Sequence, residues 1–202
     1  MSNLSTYLLL IIGIVFILQL VTEGSTHDIT NLFIFDPLKA FSEPWRFVTS
    51  MFLHAGLTHI FFNCYALFMF GSILEQKVSK KDYLIIFFIG GIIGGLSYFA
   101  TFLLGIIPPI PALGASGAIY AVLGAVAMLL PDMRIFVLFF PMKMREAVLF
   151  WIFIEFLGTF DTGSGIASAA HLGGLMFGLL YGYYLKNRPR EYYYPAGPFP
   201  QV

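Results

Sequence analysis

From Tyr83 to Pro131 the sequence contains no Asp, Glu, Lys or Arg. A helix needs about 20 apolar residues to cross about 30 Å of hydrocarbon, and this stretch holds enough for two crossings. It is cut at Gly105-Ile-Ile-Pro-Pro-Ile-Pro111, where three prolines forbid a continuous helix. Leu4–Val21 is a further apolar run, and Phe47–Leu74 carries no formal charge when its histidines are neutral. Two more runs cover roughly Met144–Phe160 and Ala167–Leu185. Six spans follow, and the expected fold class is an all-α, polytopic membrane bundle. Ile135–Pro141 is apolar but too short to span, so it is expected at the interface or against the bundle.

The composition agrees. Hydrophobic residues make up 58% of the chain and charged residues 11%, against roughly a quarter charged in a soluble domain. A lipid bilayer is the solvent that tolerates this balance. The formal net charge is zero, so no bulk attraction to nucleic acid is implied. One cysteine, Cys64, excludes an intramolecular disulfide and any cysteine-based metal cluster. No Lys or Arg precedes Leu4–Val21, and no A-x-A-like site follows it, so a retained first membrane helix is expected rather than a signal peptide. The membrane domain is placed at residues 1–187. Residues 188–202, rich in Tyr and Pro, read as a short disordered tail.

The cations set the orientation. Lys77, Lys80, Lys81, Arg134, Lys143, Arg145, Lys186, Arg188 and Arg190 fall on one side, and only Lys39 and Arg46 on the other. The positive-inside rule puts the first group, with both termini, in the cytoplasm. The loops 23–46, 105–111 and 158–166 then face outward. Glycines recur at helix-packing spacing, most clearly Gly174, Gly178 and Gly182 in the last span, and such stripes let membrane helices approach closely.

Polar side chains in hydrocarbon are costly and usually have a task. His59, Asn63, Ser116 and His171 stand out, and the topology places all four at similar depth below the outer surface. His59 and Asn63, at i and i+4, share one helical face. Ser116 lies at a helix start among Gly114, Ala115, Gly117 and Ala118, where small neighbours admit a substrate backbone and leave an N–H free to hold an oxyanion. His171 is placed to act as general base toward Ser116. No acidic residue is obviously placed to orient His171, so a Ser–His pair is the simplest arrangement. Each residue also has a plainer reading: the serine as packing, the histidines as partners of neighbouring helices, the asparagine as a donor to a carbonyl. The residues alone leave hydrolysis and a transport or channel site equally open.

Longer motifs add to this. The segment Trp45-Arg46 through His54 and His59 to Asn63 resembles the second-helix region of the rhomboid intramembrane proteases. Gly114-Ala-Ser116-Gly117-Ala-Ile-Tyr120 resembles that family's G-x-S-G nucleophile motif. Ala170-His171-Leu-Gly-Gly174-Leu-Met-Phe-Gly178 resembles its histidine motif, and Gly71-Ser-Ile-Leu-Glu75 its G-x-x-x-E element. They occur in family order, over about residues 4–186.

The resemblance implies a six-transmembrane-helix rhomboid-like bundle and a serine endopeptidase acting on transmembrane protein substrates in the lipid bilayer. It implies Ser116 as nucleophile and His171 as base, with the Ser116 N–H, His59 and Asn63 as oxyanion hole. Supporting roles are implied for Tyr120 (stacked on His171), Gly114, His54, Trp45, Arg46, Gly174 and Gly178. It also implies a lateral gate in the fifth span, where Phe150, Trp151, Phe153 and Phe156 otherwise simply face lipid. Glu155 in that span receives no role; it is read as snorkelling outward or pairing with a neighbouring helix. No metal or cofactor is called for: three imidazoles occur in the second and sixth spans, but there is no H-E-x-x-H pattern. The competing expectations are a membrane chaperone on the same scaffold and a transporter. Against the transporter, the helix below Ser116 reads Val122-Leu-Gly-Ala-Val-Ala-Met-Leu-Leu130, which is dry.

Overall fold

The computed structural model describes residues 3–137, 139–161 and 167–188. Most of the expected tail, the end of the third outward loop and Leu138 lie outside the described residues. The chain runs α1 (Leu4–Thr22), α2 (Ile29–Phe33), α3 (Arg46–Thr49), α4 (Leu57–Ala66), α5 (Ser72–Glu75), α6 (Lys80–Leu103), α7 (Ser116–Leu129), β1 (Arg134–Val137), β2 (Phe140–Lys143), α8 (Met144–Gly158) and α9 (Ser168–Asn187). A π-helical turn, Leu67–Gly71, joins α4 to α5 into one rod, Leu57–Glu75.

Among the described residues, three helices are long and apolar enough to cross a membrane: Leu4–Thr22, Leu57–Glu75 and Lys80–Leu103. The others differ for separate reasons. At about 1.5 Å per residue, the 14 residues of α7 and the 15 of α8 fall short of the hydrocarbon thickness. The 20 residues of α9 have the length, but tyrosines, glycines and a histidine dilute their apolarity.

The expected second span, Phe47–Leu74, starts later than its composition suggests. Leu53 is extended (φ −87°, ψ 150°), and the side chain of Gln19 on α1 takes both backbone groups of His54. The His54 N–H donates to Gln19 Oε1 at 2.9 Å, and Gln19 Nε2 donates to the His54 carbonyl at 3.2 Å. These bonds hold the chain outside the helix until Leu57. The all-α expectation also needs correcting. Segment 135–141 falls in a two-stranded antiparallel hairpin in which Arg134 pairs with Lys143 and Val137 with Phe140. A proline at 141 excludes helix there. Ile135 packs on the core, while Phe136, Phe139 and Phe140 are exposed.

The distribution of side chains is the reverse of a soluble protein's. Leu10, Ile14, Ile17 and Leu20 on α1, and Phe61, Phe62 and Phe68 on the second rod, point outward. Gln19, Arg46, His54, Asn63, Asp82, Glu155 and His171 are buried. An apolar exterior, with the few polar side chains turned inward among an apolar core, is what hydrocarbon solvent selects. The rod α1 is fastened at both ends. Gln19 holds its last turns; at its start, the Glu75 carboxylate accepts from the backbone N–H groups of Leu4 and Ser5 and from the Ser5 hydroxyl. Those N–H groups have no partner within their own helix, so the G-x-x-x-E element ends in a cap for a different helix.

At the centre, α7 is buried from Gly117 to Ala127 except at Tyr120, enclosed chiefly by α6 and α9. Backbone meets backbone there. A Cβ added at Gly174 would lie 2.0 Å from the Gly117 carbonyl oxygen, and one at Gly178 2.0 Å from that of Ala121. We therefore expect Gly178→Ala to force α9 off α7 and cost about 1–3 kcal/mol, read as a lower unfolding midpoint in detergent micelles. Gly13→Ala, where nothing lies within 4 Å, is expected to show no loss.

Candidate active site

Ser116 is the first residue of α7, and His171 lies in the first turn of α9. Because Gly117 and Gly174 let the two backbones touch, two short side chains are enough to bridge the helices. The distance from His171 Nε2 to Ser116 Oγ is 2.7 Å. Tyr120, one turn along α7, stacks on the imidazole with ring centroids 4.4 Å apart and planes 4° from parallel.

Glu155 corrects the expectation that no acid stands behind His171. It is buried, and its Oε1 lies 3.0 Å from His171 Nδ1. The ring N–H is not aligned on that oxygen, so the contact is an ion-pair distance rather than a well-formed hydrogen bond. The Tyr120 hydroxyl donates to the same Oε1 at 2.5 Å. Sequence reasoning missed this pairing because Glu155 and His171 are on different helices. The available signal was an acid in the middle of an otherwise apolar span.

On the opposite wall, His59 and Asn63 project from α4. The Ala55 N–H donates to His59 Nδ1 at 3.3 Å. An acceptor at Nδ1 leaves the proton of the neutral ring on Nε2. Asn63 Nδ2 donates one hydrogen to the His59 carbonyl at 3.0 Å and keeps a second. Gly114 has φ 124°, a region that disfavours any side chain, and a Cβ there would lie 2.8 Å from the His59 ring. Its N–H donates to the Ser50 carbonyl at 2.9 Å, which ties the loop before Ser116 to the segment before α4.

His54 is buried against the His59 ring, edge to face at 5.1 Å, and neither of its nitrogens has a partner among the described residues. Gln19 fixes its backbone, and that contact was also missed. Trp45 and Arg46 do not line the site. Trp45 is exposed, whereas Arg46 is buried and donates to the carbonyls of Asn31 and Ile34 at 3.1 and 2.8 Å while pairing with Glu43. Arg46 thus organises the loop above the site. Gly178 lies a turn below Gly174 and serves the helix contact alone.

Ser116, His171, His59 and Asn63 line one cavity of about 820 Å³. Its walls include Phe62, Phe70 and Trp151, so it reaches the space between the second rod and α8. Phe150, Phe153 and Phe156 point outward instead. Among the described residues, no three His, Cys, Asp or Glu side chains converge as a metal's ligands would.

Comparison with known proteins places the chain in a family. The family described as the Rhomboid domain matches residues 42–188. Rhomboid protease GluP of Bacillus subtilis is 30% identical over 178 residues, which cover 86% of this chain and 33% of that protein. A second Bacillus subtilis protein, YdcA, is 31% identical over 152 residues, 74% of this chain and 72% of its own length. Rhomboid protein 1, mitochondrial, of Saccharomyces cerevisiae is 32% identical over 149 residues, 69% of this chain and 41% of the relative. The chain therefore spans well under two thirds of GluP and of the yeast protein.

The Gln19 contact generates a test of how the wall is held. Gln19→Leu strips a buried donor and a buried acceptor of their partners. It is expected to cost about 1–3 kcal/mol, measured by equilibrium unfolding in mixed micelles.

Proposed function

The chain belongs to the rhomboid family, and from that premise we propose that it is an intramembrane serine endopeptidase, with Ser116 as nucleophile and His171 as base. The observation that carries this reading is the 2.7 Å contact between His171 Nε2 and Ser116 Oγ in the wall of a cavity of about 820 Å³. The substrates are membrane proteins, cut in or near a transmembrane helix. The peptide must unwind locally, because a helical carbonyl is already bonded and shielded.

His171 Nε2 takes the Ser116 proton as Oγ attacks the peptide carbonyl. The tetrahedral oxyanion is held by the Ser116 N–H, His59 Nε2–H and the remaining Asn63 N–H. His171 then protonates the leaving amine, and water hydrolyses the acyl-enzyme. The Nε2 proton of His59 follows from the acceptor role of its Nδ1, and the second Asn63 hydrogen is the one not spent on the His59 carbonyl. Tyr120 holds the imidazole plane, Gly114 gives room to the His59 ring, and His54 backs that ring. Gly174 and Gly178 set the helix contact, and Arg46, beside Trp45, steadies the outer loop.

The protein is an integral membrane protein. We place six spans within residues 1–187, with both termini cytoplasmic and the cavity opening outward in the cell membrane. The cation distribution supports this orientation. A continuous path for a solute is disfavoured by α7, which is buried and apolar below Tyr120.

The test is covalent labelling of the detergent-purified protein by a fluorophosphonate, with the adduct located by mass spectrometry, beside cleavage of a transmembrane substrate. An adduct on Ser116 that is lost in Ser116→Ala and His171→Ala is expected. His59→Ala and Asn63→Ala are each expected to lower kcat by about 10²–10³. Labelling at another residue, or cleavage that survives Ser116→Ala, would overturn the reading.

A further inference from the structure

Glu155 brings a carboxylate into the middle of an apolar helix. Its side chain is 9% exposed, and an acid at such a position is costly unless its charge is met. Two groups meet it: His171 Nδ1 at 3.0 Å and the Tyr120 hydroxyl at 2.5 Å. Gly158, one turn further along α8, makes this convergence possible. A Cβ there would lie 2.5 Å from Ser168 Oγ, so only a glycine lets the start of α9 come so near.

Two features separate this arrangement from a carboxylate that merely satisfies a buried tyrosine. The first is that one oxygen, Oε1, serves both Tyr120 and His171. Tyr120 also stacks flat on the imidazole, so its ring fixes the imidazole plane while its hydroxyl fixes the oxygen that faces Nδ1. The second is direction. Nδ1 faces the carboxylate and Nε2 faces Ser116 Oγ. A proton on Nδ1 leaves the Nε2 lone pair free for the serine proton, whereas the opposite tautomer points a hydrogen at Oγ and cannot accept.

We propose that Glu155 is a positioning residue for the Ser116/His171 pair, holding the proton of the neutral imidazole on Nδ1 and countering the charge that His171 gains when it takes the serine proton. The inference rests on the protease reading given above. The third member of the relay is supplied by α8, a helix separate from those of the serine and the histidine. The carboxylate keeps its charge throughout; the only proton that moves passes from Ser116 Oγ to His171 Nε2 and on to the leaving amine. The Nδ1–H of the resting site is not aligned on Oε1, and contacts of this kind tighten as the transition state forms.

The experiment compares the full-length protein with Glu155→Gln, in detergent, by the kinetics of fluorophosphonate inactivation and by nitrogen-15 NMR of labelled histidines, with the His171 resonances assigned through His171→Ala. Glutamine keeps an acceptor for Tyr120. The expected result is a fall in the maximal inactivation rate on the order of 10²- to 10⁴-fold, with the half-saturating concentration and the unfolding midpoint unchanged. The neutral His171 of the unsubstituted protein is expected to carry its proton on Nδ1. An unchanged rate in Glu155→Gln, or a proton on Nε2 in the unsubstituted protein, overturns the inference while leaving the protease reading intact. No adduct in the unsubstituted protein takes both down. If Glu155→Gln does not fold, the tautomer measured without any substitution decides.

Discussion

The contact between α7 and α9 is what the site depends on. Helices separated by ordinary side chains run about 8–10 Å apart, and glycines at the contact let two backbones come nearer than that. Here the Gly174 and Gly178 Cα atoms press on the carbonyl oxygens of Gly117 and Ala121, and Gly124 presses on the Leu175 carbonyl. No side chain intervenes. Ser116 immediately precedes the first of these contacts and His171 lies three residues before Gly174, so both side chains hang from the tightest part of the bundle. A third helix is held by the same means: a Cβ at Gly94 on α6 would lie 2.7 Å from the Ala170 carbonyl oxygen, next to His171. The histidine is therefore braced by backbone on one side and by the Tyr120 ring on another.

The remaining parts of the site hang on polar contacts rather than close packing, because they lie where the chain is not helical. Gln19 stands in for the missing helical partners of His54, and the Ser50 carbonyl receives the Gly114 N–H. Arg46 does the same for the carbonyls of Asn31 and Ile34. In hydrocarbon an unmet backbone group is expensive, so irregular chain survives at this depth only where a side chain supplies the missing bond. That requirement explains why Gln19 is buried on a helix whose outer face is aliphatic.

Much of the site was legible because it was written in exceptions. His59, Asn63, Ser116 and His171 interrupt apolar runs, and hydropathy with the cation count was enough to bring them to one depth. The end of α6 followed from the proline-rich cut at 105–111, and α9 covers Ser168–Asn187 where an apolar run over roughly Ala167–Leu185 was expected. What was not legible depended on tertiary contact. The delayed start of α4 is set by Gln19, some 35 residues away in sequence. The hairpin at 134–143 hides in a run too short for periodicity to separate strand from helix. Glu155 could be seen as odd but not placed, since its partner lies on another helix and nothing in α8 indicates which face meets α9.

On the protease reading, α8 serves the site in two ways at once. Trp151 lines the cavity, while Glu155, one turn on in the same helix, faces His171. A single helix therefore supplies both a wall of the cavity and the acid behind the imidazole. The contact between Ser116 and His171 lies between α7 and α9 and does not involve it.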